Sequence, residues 1–502
     1  MRKIITDIGL HKLDYLLLFV IILISAIVRF SPLIQYDIPF LFDHGRDMLA
    51  VKQIAVNHKF TLIGPFTGLQ GVFQSPLHFY LLTIPFFLSG GNPSSGTWMM
   101  ATLALIGIFL CYIFGRKIAG STFALILSLF FAFSPTSLAF SAHFWNPHWI
   151  PFLMIFLYFF LYKSIFVSSK FWPLTGLIIG LIAQFEVAFG IPLFVFVCLI
   201  AFLFSIRSLK TISFWLMIPV FLATFLPQML FDIRHQFLMT KTILGFLHGV
   251  NTSVGGIIPF PTRFFYRLNE IQLATIYTVS DNRIVDYVLS IPIIIFLFSA
   301  PFLKMRRELR IFAVFASVPI LFFLGFLFYA HEAWSWYWIG LQTSYYFLLA
   351  YVLSIFFQRR RKDIIFASGM IALFTIATIL PEIIKINATS QGDTGTLKNE
   401  LRVIDFIYRD ANHNLFGEFV YTPPIYDYAY QYLFWWKGKQ YGYEPTKDKN
   451  NIFYLIIEPD KERPYAIKGW KETVIKSGKI LWDKTFPGGI TVEKRIGKGS
   501  YQ

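Results

Sequence analysis

Residues 14–34 read DYLLLFVIILISAIVRFSPLI, and residues 42–47 read FDHGRD. The first stretch is apolar and long enough to cross a bilayer, since a membrane-spanning helix needs about 20 such residues. The second stretch brings two carboxylates, a histidine and an arginine to the membrane face where that helix emerges. Ionisable groups are costly in or beside the hydrocarbon and are typical of functional sites there. These two stretches predict a membrane protein with a polar site beside its first span.

Apolar stretches of this kind recur through the first three quarters of the chain. The 502 residues are 56% hydrophobic and 14% charged, and the mean hydropathy is +0.59. The candidate spans are 14–34, 97–114, 121–141, 147–167, 171–186, 188–206, 211–230, 285–303, 311–330, 335–357 and 363–384. The shorter stretch 76–90 is interpreted as a re-entrant helix, a surface-lying helix or a short crossing. The sequence thus predicts a polytopic α-helical membrane protein with about 11–13 transmembrane helices.

Basic clusters between the spans predict the topology. Clusters such as Arg116-Lys117 and Arg359-Arg360-Arg361-Lys362 are expected on the cytoplasmic side. This arrangement places the N-terminus in the cytoplasm, and it places loops 35–75 and 231–284 together on the outer face of the cell membrane. Because such clusters and a nearly balanced C-terminal segment account for the net charge of +16, we predict the bilayer as a partner and no nucleic acid.

The composition becomes polar near residue 388, which divides the chain into a membrane domain (1–387) and a soluble domain (388–502). The soluble part alternates helix and strand patterns. The predicted elements are a helix over 397–410, a strand over 418–421, a Tyr-rich helix over 425–436, a strand over 452–457 and a hairpin over 479–495. We predict a C-terminal α/β domain that lies outside the cell membrane.

The acidic patch after the first span has two interpretations. If Gly45 opens a helix over 46–56 along the membrane surface, Met48, Leu49, Ile54 and Val56 partly face lipid. The helix N-terminus then favours the charged form of Asp43, and an ionised carboxylate suits a general base. In the equally supported alternative, Asp43 is a helix N-cap and Asp47 pairs with Arg46 or Lys52.

Other ionisable residues lie at predicted outer boundaries. Glu186 ends a span and is interpreted either as facing a cavity or as pairing with Arg234. Arg234, His235 and Lys241 follow the span 211–230 and are either phosphate contacts or interfacial anchors. Arg263 and Arg267 are weaker examples of the same pattern.

Other motifs restrict the chemistry. His143 and His148 are interpreted as polar anchors, and the aromatic run 334–338 as an interface belt, with sugar stacking as its alternative. The sequence contains no strong metal signature and no Gly-rich phosphate loop. We therefore predict no metal, no cofactor and no nucleotide-sugar donor.

The order of several motifs resembles the GT-C superfamily of integral membrane glycosyltransferases, above all the protein O-mannosyltransferases and the lipid A aminoarabinose transferase. The resemblance covers roughly residues 14–384. Its motifs, besides the acidic patch, are Gly64-Pro65, QSPLHFY (74–80), Gly115-Arg116-Lys117, Ser134-Pro135, Trp145-Asn146-Pro147, Leu226-Pro227 and FDIRH (231–235).

The resemblance implies a GT-C-like fold and transfer of one sugar from a polyprenyl-phosphate donor to a lipid, glycan or protein acceptor outside the membrane. It implies that Asp43 is the catalytic base. We predict supporting or acceptor-site roles for His44, Arg46, Asp47 and Glu186, and donor-phosphate contacts from Arg234, His235 and Lys241, in a metal-independent, inverting displacement.

The chain also departs from the family pattern. His44 follows Asp43 where many members have Asp-Glu, and Gln74 stands where some relatives have a phosphate-contacting lysine. A second acidic residue of a later loop is replaced by His143-Phe144-Trp145-Asn146. These differences leave the sugar and donor type open.

Two other functions fit a polytopic chain with polar groups at one face. A transporter or flippase of lipid-linked sugars would more often carry charges near the centres of its spans and show two similar halves, which this sequence does not. An oligosaccharide ligase or polymerase that uses a pyrophosphate carrier is compatible with the same residues.

Overall fold

The computed structural model describes residues 12–248, 257–386, 392–423 and 425–497. The first three quarters are helical. The helices are α1 (Lys12–Ile34), α2 (Phe42–Ala55), α3 (Leu77–Leu88), α4 (Ser95–Ala119), α5 (Ser121–Phe133), α6 (Pro135–Ser141), α7 (Ile150–Phe166), α8 (Trp172–Phe185), α9 (Val187–Phe204), α10 (Ile212–Trp215), α11 (Met217–Ala223), α12 (Leu226–Arg234), α13 (Leu238–Leu247), α14 (Phe260–Ala274), α15 (Arg283–Ser299), α16 (Arg306–Phe326), α17 (Leu341–Phe356), α18 (Arg361–Phe374) and α19 (Leu380–Ile386).

The described helices make this a multi-pass membrane protein. Seven helical spans are long and apolar enough to cross a membrane, and three of them include short helical turns that continue α7, α17 and α18 (Asn146–Phe166, Ser335–Phe356 and Arg361–Lys385). The number reaches ten if each of three bent pairs forms one span. The predicted span 171–186 is the 14-residue helix α8, which is shorter than the roughly 17 residues that a crossing needs. The stretch 76–90 forms α3, which has 12 residues and is too short for the same reason.

Two predicted spans are bent in the structure. The span 121–141 breaks at Ser134, where α5 and α6 meet at 60°. Ser134 is extended because the residue before a proline is pushed out of the helical region, and Pro135 follows it. The span 211–230 breaks between α11 and α12, which meet at 51°. Periodicity alone does not reveal such breaks.

Helix α17 lies at the centre of the membrane domain. All of its residues from Leu341 to Phe356 are buried, and it packs against α5, α7, α15, α16 and α18. Several buried hydroxyl groups on and around it find partners inside the core. The Tyr346 hydroxyl donates to the Thr278 carbonyl at 3.1 Å, and the Tyr158 hydroxyl lies 2.5 Å from Ser344 Oγ.

The C-terminal segment forms a small α/β domain. It contains α20 (Leu397–Ala411), β1 (Gly417–Tyr421), α21 (Tyr428–Tyr441), β2 (Ile452–Ile457), α22 (Pro464–Trp470), β3 (Lys479–Thr485) and β4 (Thr491–Ile496). The strand order is β1-β2-β4-β3, with β1 and β2 parallel and the other pairs antiparallel.

These elements confirm the predicted helices and strands, with one shifted start. Helix α21 begins at Tyr428 rather than at residue 425, because Ile425 has a left-handed φ of 64° that cannot continue a helix. The predicted domain boundary at residue 387 lies outside the described residues.

The C-terminal domain rests on the segment that connects α1 to α2. The Phe40 amide donates to the Gly395 carbonyl at 2.8 Å, and the Leu397 amide donates to the Ile38 carbonyl at 2.9 Å. Helix α21 crosses α2 so closely that a Cβ atom at Gly45 would lie 2.2 Å from the Ala429 nitrogen.

Helix α2 is consequently enclosed by α3 and α21 rather than lying free on the membrane. The expectation that Met48 and Ile54 partly face lipid is wrong, because both are buried in protein.

Candidate active site

Helix α2 begins at Phe42, four residues before the predicted start. Leu41 is extended and forms the N-cap, and its amide donates to His44 Nδ1 at 2.7 Å. Asp43 therefore lies in the first turn and is not the N-cap, so that alternative is wrong. The position remains favourable for a carboxylate because the first turn exposes unpaired amides and the positive end of the helix dipole.

Arg46 holds the two carboxylates of the patch together. Its guanidinium lies 2.5 Å from Asp43 Oδ1 and 2.7 Å from Asp47 Oδ1. The Asp47 side chain is fully buried, whereas 27% of the Asp43 side chain is exposed. The pairing of Asp47 with Arg46 is thus confirmed, and Asp43 is the carboxylate that an external molecule can reach.

Two buried hydrogen bonds, through His78 and Trp149, hold Asp47 on the side away from Arg46. His78 Nε2 lies 3.1 Å from Asp47 Oδ2, and the Trp149 indole N–H donates to His78 Nδ1 at 3.1 Å. Because Nδ1 accepts a hydrogen bond, Nε2 carries the proton and donates to Asp47. Asp47 is therefore a positioning residue for Arg46. Sequence reasoning missed the roles of His78 and Trp149, although a lone histidine inside the apolar stretch 76–90 was a signal.

Burial controls the titration of the exposed carboxylate. Desolvation raises the pKa of Asp43 above its ordinary value, and the nearby charge of Asp47 adds to this rise, while Arg46 opposes it. The Asp43 carboxylate binds a proton more strongly than an exposed aspartate does, which suits a general base.

His44 has a tautomer fixed by a backbone hydrogen bond. Its Nδ1 accepts the Leu41 amide, so its Nε2 carries the proton. Burial lowers the pKa of His44 well below its ordinary range, with His143 as a second cause. The His44 ring lies 5.2 Å from the His143 ring, which lies 4.5 Å from His148. Within the described ranges, no group of three or more histidine, cysteine, aspartate or glutamate residues is arranged to hold a metal.

Glu186 lies in the link between α8 and α9 and is buried. Its carboxylate accepts the Gln74 amide N–H at 3.1 Å and the Ala188 backbone N–H at 3.1 Å, and Gln74 Oε1 accepts the Val187 N–H at 3.2 Å. Glu186 thus caps α9 and pairs with Gln74. The proposed pairing with Arg234 is wrong, because the Arg234 side chain is exposed and carries no carboxylate partner among the described residues.

Arg234, His235 and Lys241 are all exposed around the turn between α12 and α13. Buried Asp232 fixes this turn by accepting the Met239 amide at 2.7 Å and the Thr240 hydroxyl at 2.6 Å. Phe231 packs on Phe73 with ring centres 5.5 Å apart, so the turn contacts the first loop. The described contacts do not join the three cations directly to Asp43.

Arg263 and Arg267 are structural. Arg267 is fully buried, pairs with Glu270 at 2.6 Å, and donates to the Phe326 and Tyr329 carbonyls at 3.1 Å each. Arg263 donates to the Leu327 carbonyl at 3.0 Å. Because carbonyls occupy both guanidinium groups, neither serves as an exposed phosphate contact.

Solved structures share this architecture. ArnT from Cupriavidus metallidurans, bound to undecaprenyl phosphate, aligns with 97% of this chain and 98% of its own length, with a TM-score of 0.60 and 11% identity. The chain has the GT-C fold.

Two archaeal structures agree with this result. The Archaeoglobus fulgidus oligosaccharyltransferase in complex with Zn and sulfate covers 95% of this chain and 72% of its own, with a TM-score of 0.56 and 14% identity. AglB from the same organism was solved in complex with an inhibitory peptide and a dolichol-phosphate. It aligns with 97% of this chain and 74% of its own length, with a TM-score of 0.51 and 11% identity. No family model and no curated protein sequence matches the chain. At these identities the likeness establishes the GT-C fold, and the site residues rest on the geometry described above.

Proposed function

We propose that this protein is a membrane glycosyltransferase that moves a single sugar from a polyprenyl-phosphate donor to an acceptor outside the membrane. The observation that carries the proposal is a GT-C fold shared with ArnT over nearly the whole of both chains. The reachable Asp43 of the α2 patch supplies this fold with a candidate base. ArnT was solved with undecaprenyl phosphate and AglB with a dolichol-phosphate, which supports a lipid-phosphate carrier.

The proposed reaction is a single displacement with Asp43 as the base. The Asp43 carboxylate takes the proton of an acceptor hydroxyl while the hydroxyl oxygen forms a bond to the anomeric carbon. The bond from that carbon to the phosphate oxygen breaks, and polyprenyl phosphate leaves with the electron pair. Attack from the side opposite the phosphate inverts the anomeric configuration. Arg46, Asp47 and His44 keep Asp43 in place, and no step is assigned to a metal.

The departing phosphate gains negative charge and needs cations more than it needs a proton. Arg234, His235 and Lys241 are the proposed contacts, since they are exposed at one turn that packs on the first loop. His235 Nδ1 donates to the Phe231 carbonyl at 2.8 Å, so Nε2 donates to a phosphate oxygen only when the ring carries both protons. Arg234 adds a permanent charge and a planar fork that matches phosphate oxygens.

The proposed site faces the outside of the plasma membrane. Support comes from Arg116 and Lys117 in the last turn of α4 and from the basic run before α18, which the positive-inside rule assigns to the cytoplasm. The division into a membrane domain (1–387) and an outer domain (388–502) belongs to the same proposal, as do a lipid, glycan or protein acceptor and the outward position of the C-terminal domain.

A second candidate is transfer of a whole oligosaccharide, which the likeness to the Archaeoglobus fulgidus oligosaccharyltransferase favours. Single-sugar transfer is preferred because the match to ArnT covers 98% of that protein, whereas 72% of the oligosaccharyltransferase is covered.

The direct test is a donor assay on the purified full-length protein in nanodiscs. Polyprenyl-phosphate sugars and pyrophosphate-linked oligosaccharides are offered in parallel, and release of the carrier is measured with a mixture of acceptor lipids, glycans and peptides. The proposal expects release of polyprenyl phosphate from a monophosphate donor. Release only from the pyrophosphate donor would favour oligosaccharide transfer, and lipid movement across vesicles without any release would favour a flippase.

A further inference from the structure

A basic cleft lies beside the membrane, between α20, α21 and Tyr36. It has a volume of about 580 Å³. Its cationic residues are Lys398, Arg402, Arg409 and Lys437. Asp405 is the one acidic residue among the described side chains that line it. The cleft is built from elements other than α2, which carries the Asp43 patch, so the mechanism makes no use of it.

The charge in this cleft is not balanced within the protein. Asp405 pairs with Lys437 at 2.8 Å and also lies 3.3 Å from the Tyr441 hydroxyl. Over the part of the chain that the structure describes, Lys398, Arg402 and Arg409 have no carboxylate partner. Lys398 and Arg402 are four residues apart on α20, a spacing at which like charges repel each other. An external anion would remove that repulsion.

The cleft lies at the membrane boundary. Tyr36 follows α1, and its carbonyl accepts the Lys398 backbone N–H at 2.9 Å, so the cations are tied to the end of the first span. Tyr36 and Trp436 both line the cleft, and such side chains are typical of the headgroup level of a bilayer.

A second groove follows the last turns of α1 and ends at Gln35, the residue before Tyr36 of the cleft. It has a volume of about 530 Å³ and is lined mostly by apolar side chains. The lining residues are Ala26, Ile27, Phe30, Ser31, Ile34 and Gln35. A molecule with a phosphate and an apolar tail would place its phosphate in the basic cleft and its tail in the groove along α1.

We infer that this cleft binds the phosphate of an anionic lipid headgroup, with an acyl chain along α1. Arg402 offers a planar fork to the phosphate oxygens and Lys398 a mobile ammonium. A zwitterionic headgroup carries its own ammonium and gains less from three unpaired cations. The bound lipid would join α1 to the C-terminal domain, and this inference does not depend on sugar transfer.

The test measures lipids retained by the full-length protein in nanodiscs of phosphatidylcholine with a minor fraction of phosphatidylglycerol, by native mass spectrometry. The wild-type protein is expected to retain phosphatidylglycerol in preference to phosphatidylcholine. The variant K398Q/R402Q is expected to retain at least about tenfold less, since it loses two charge-assisted contacts to the phosphate. The matched control K468Q/K479Q, which removes two exposed cations from the same domain, should behave as wild type.

Equal retention of phosphatidylglycerol by the wild type and K398Q/R402Q would overturn the inference, as would equal retention of both lipids by the wild type. Calorimetric titration with inorganic phosphate separates the two sources of the anion. Phosphate binding that requires Arg402, without retention of phosphatidylglycerol, would overturn the lipid assignment. If the double variant does not elute as a folded protein, R402Q alone gives the same comparison, because the Arg402 side chain is exposed.

Discussion

At the residue scale, the surroundings of Asp43 decide what it can do. Its side chain is reachable, its pKa is raised by burial, and its position is fixed by Arg46, which is itself fixed by Asp47. A base must be deprotonated to act, so a raised pKa moves the acidic limb of the rate profile to higher pH. We expect kcat/KM to rise with pH through the pKa of Asp43, above the range of an ordinary aspartate.

Replacing Arg46 tests this electrostatic link. Arg46 lowers the pKa of Asp43, so Arg46→Gln should raise that pKa further and move the acidic limb of kcat/KM to higher pH. The measurement is the pH profile of sugar transfer. Lys52→Gln is the control, because Lys52 lies on the same helix but over the Trp435 ring, 4.6 Å from its centre. A limb that does not move in Arg46→Gln would contradict the assignment.

The patch itself could be predicted from the sequence because its members are adjacent in the chain. The pairing of Asp47 with Arg46 follows from their neighbouring positions, and the structure confirms it. His78 and Trp149 could not be assigned in this way, since they lie 31 residues from Asp47 and 71 residues from His78, respectively. Only the tertiary fold, which places His78 of α3 beside Trp149 in the short turn before α7, brings these side chains together.

At the element scale, the turn between α12 and α13 is held by Asp232 and leaves the Arg234 side chain exposed. Buried Asp232 holds the turn through Met239 and Thr240, and Arg234 remains exposed. This division of roles is what a phosphate site on a fixed turn requires.

Arg234→Gln should therefore raise the KM for the lipid-phosphate donor by about tenfold, because one charge-assisted hydrogen bond is lost. Thermal stability should stay unchanged, since Arg234 supports no described contact of the fold. The exposed Lys479→Gln is the control for loss of a positive charge. Donor saturation curves decide the matter, and an unchanged KM would remove Arg234 from the donor site.

The C-terminal sheet domain has its own pH dependence. Burial raises the pKa of Glu458 to about 7, against 4.5 for an ordinary glutamate, and the Tyr430 hydroxyl that donates to it at 3.0 Å opposes the rise. Burial also raises the pKa of Glu418 to about 7. The folded domain then holds more protons than the unfolded chain between about pH 4.5 and 7, so stability falls as pH rises through this window.

Glu458→Gln should reduce that loss. We expect its unfolding midpoint at pH 8 to exceed that of the wild type by a few degrees, since ~1 kcal/mol moves a domain of this size by about 4–8 °C. At pH 4 the two proteins should differ less. Glu472→Gln replaces an exposed carboxylate of the same domain and is the control. The measurement is the unfolding midpoint of each protein at pH 4 and at pH 8. An unfolding midpoint of the wild type that does not fall on going to pH 8 would contradict the prediction.

The elements were predictable where a local pattern decides them. The strand 452–457 follows from a short run of β-branched and aromatic residues, the helix from residue 397 follows from amphipathic spacing, and the structure confirms both. Backbone conformation at single residues explains the two elements that differ from the prediction. Ser134 breaks a predicted span because of Pro135, and Ile425 delays α21 through its left-handed backbone.

At the scale of the whole molecule, the C-terminal domain is docked on the helix that carries Asp43. The contact is closest at Gly45, where a Cβ atom would lie 2.2 Å from the Ala429 nitrogen and 2.3 Å from the Tyr428 carbonyl carbon. Both are backbone atoms, which cannot rotate away as a side chain can. The Tyr432 hydroxyl also donates to the Gly91 carbonyl at 2.6 Å, on the link between α3 and α4.

Gly45→Ala should accordingly push α21 away from α2. We expect faster hydrogen exchange in both helices and a loss of sugar transfer, because the first turn of α2 holds Asp43. Gly469→Ala is the matched control, since no atom lies within 4 Å of a Cβ at that position. Unaltered exchange in α2 and α21 of Gly45→Ala would show that the domain is not docked in this way.

Charge patterning predicted one feature of the overall layout that a described contact supports. It placed loops 35–75 and 231–284 on one face, and Phe73 and Phe231 of these loops are in contact. It could not predict that the C-terminal domain covers α2, because the contact at Gly45 joins segments almost four hundred residues apart and depends on shape rather than on charge.

Single-turnover transfer by Asp43→Asn decides whether Asp43 is the base of a sugar transfer. The substitution keeps the size of the side chain but removes the carboxylate. With a polyprenyl-phosphate sugar bound at saturation, we predict a rate at least about 100-fold below wild type, since general base catalysis contributes about 10²–10⁴. The exposed Asp483→Asn should transfer sugar at the wild-type rate. A wild-type rate in Asp43→Asn would show that Asp43 is not the base.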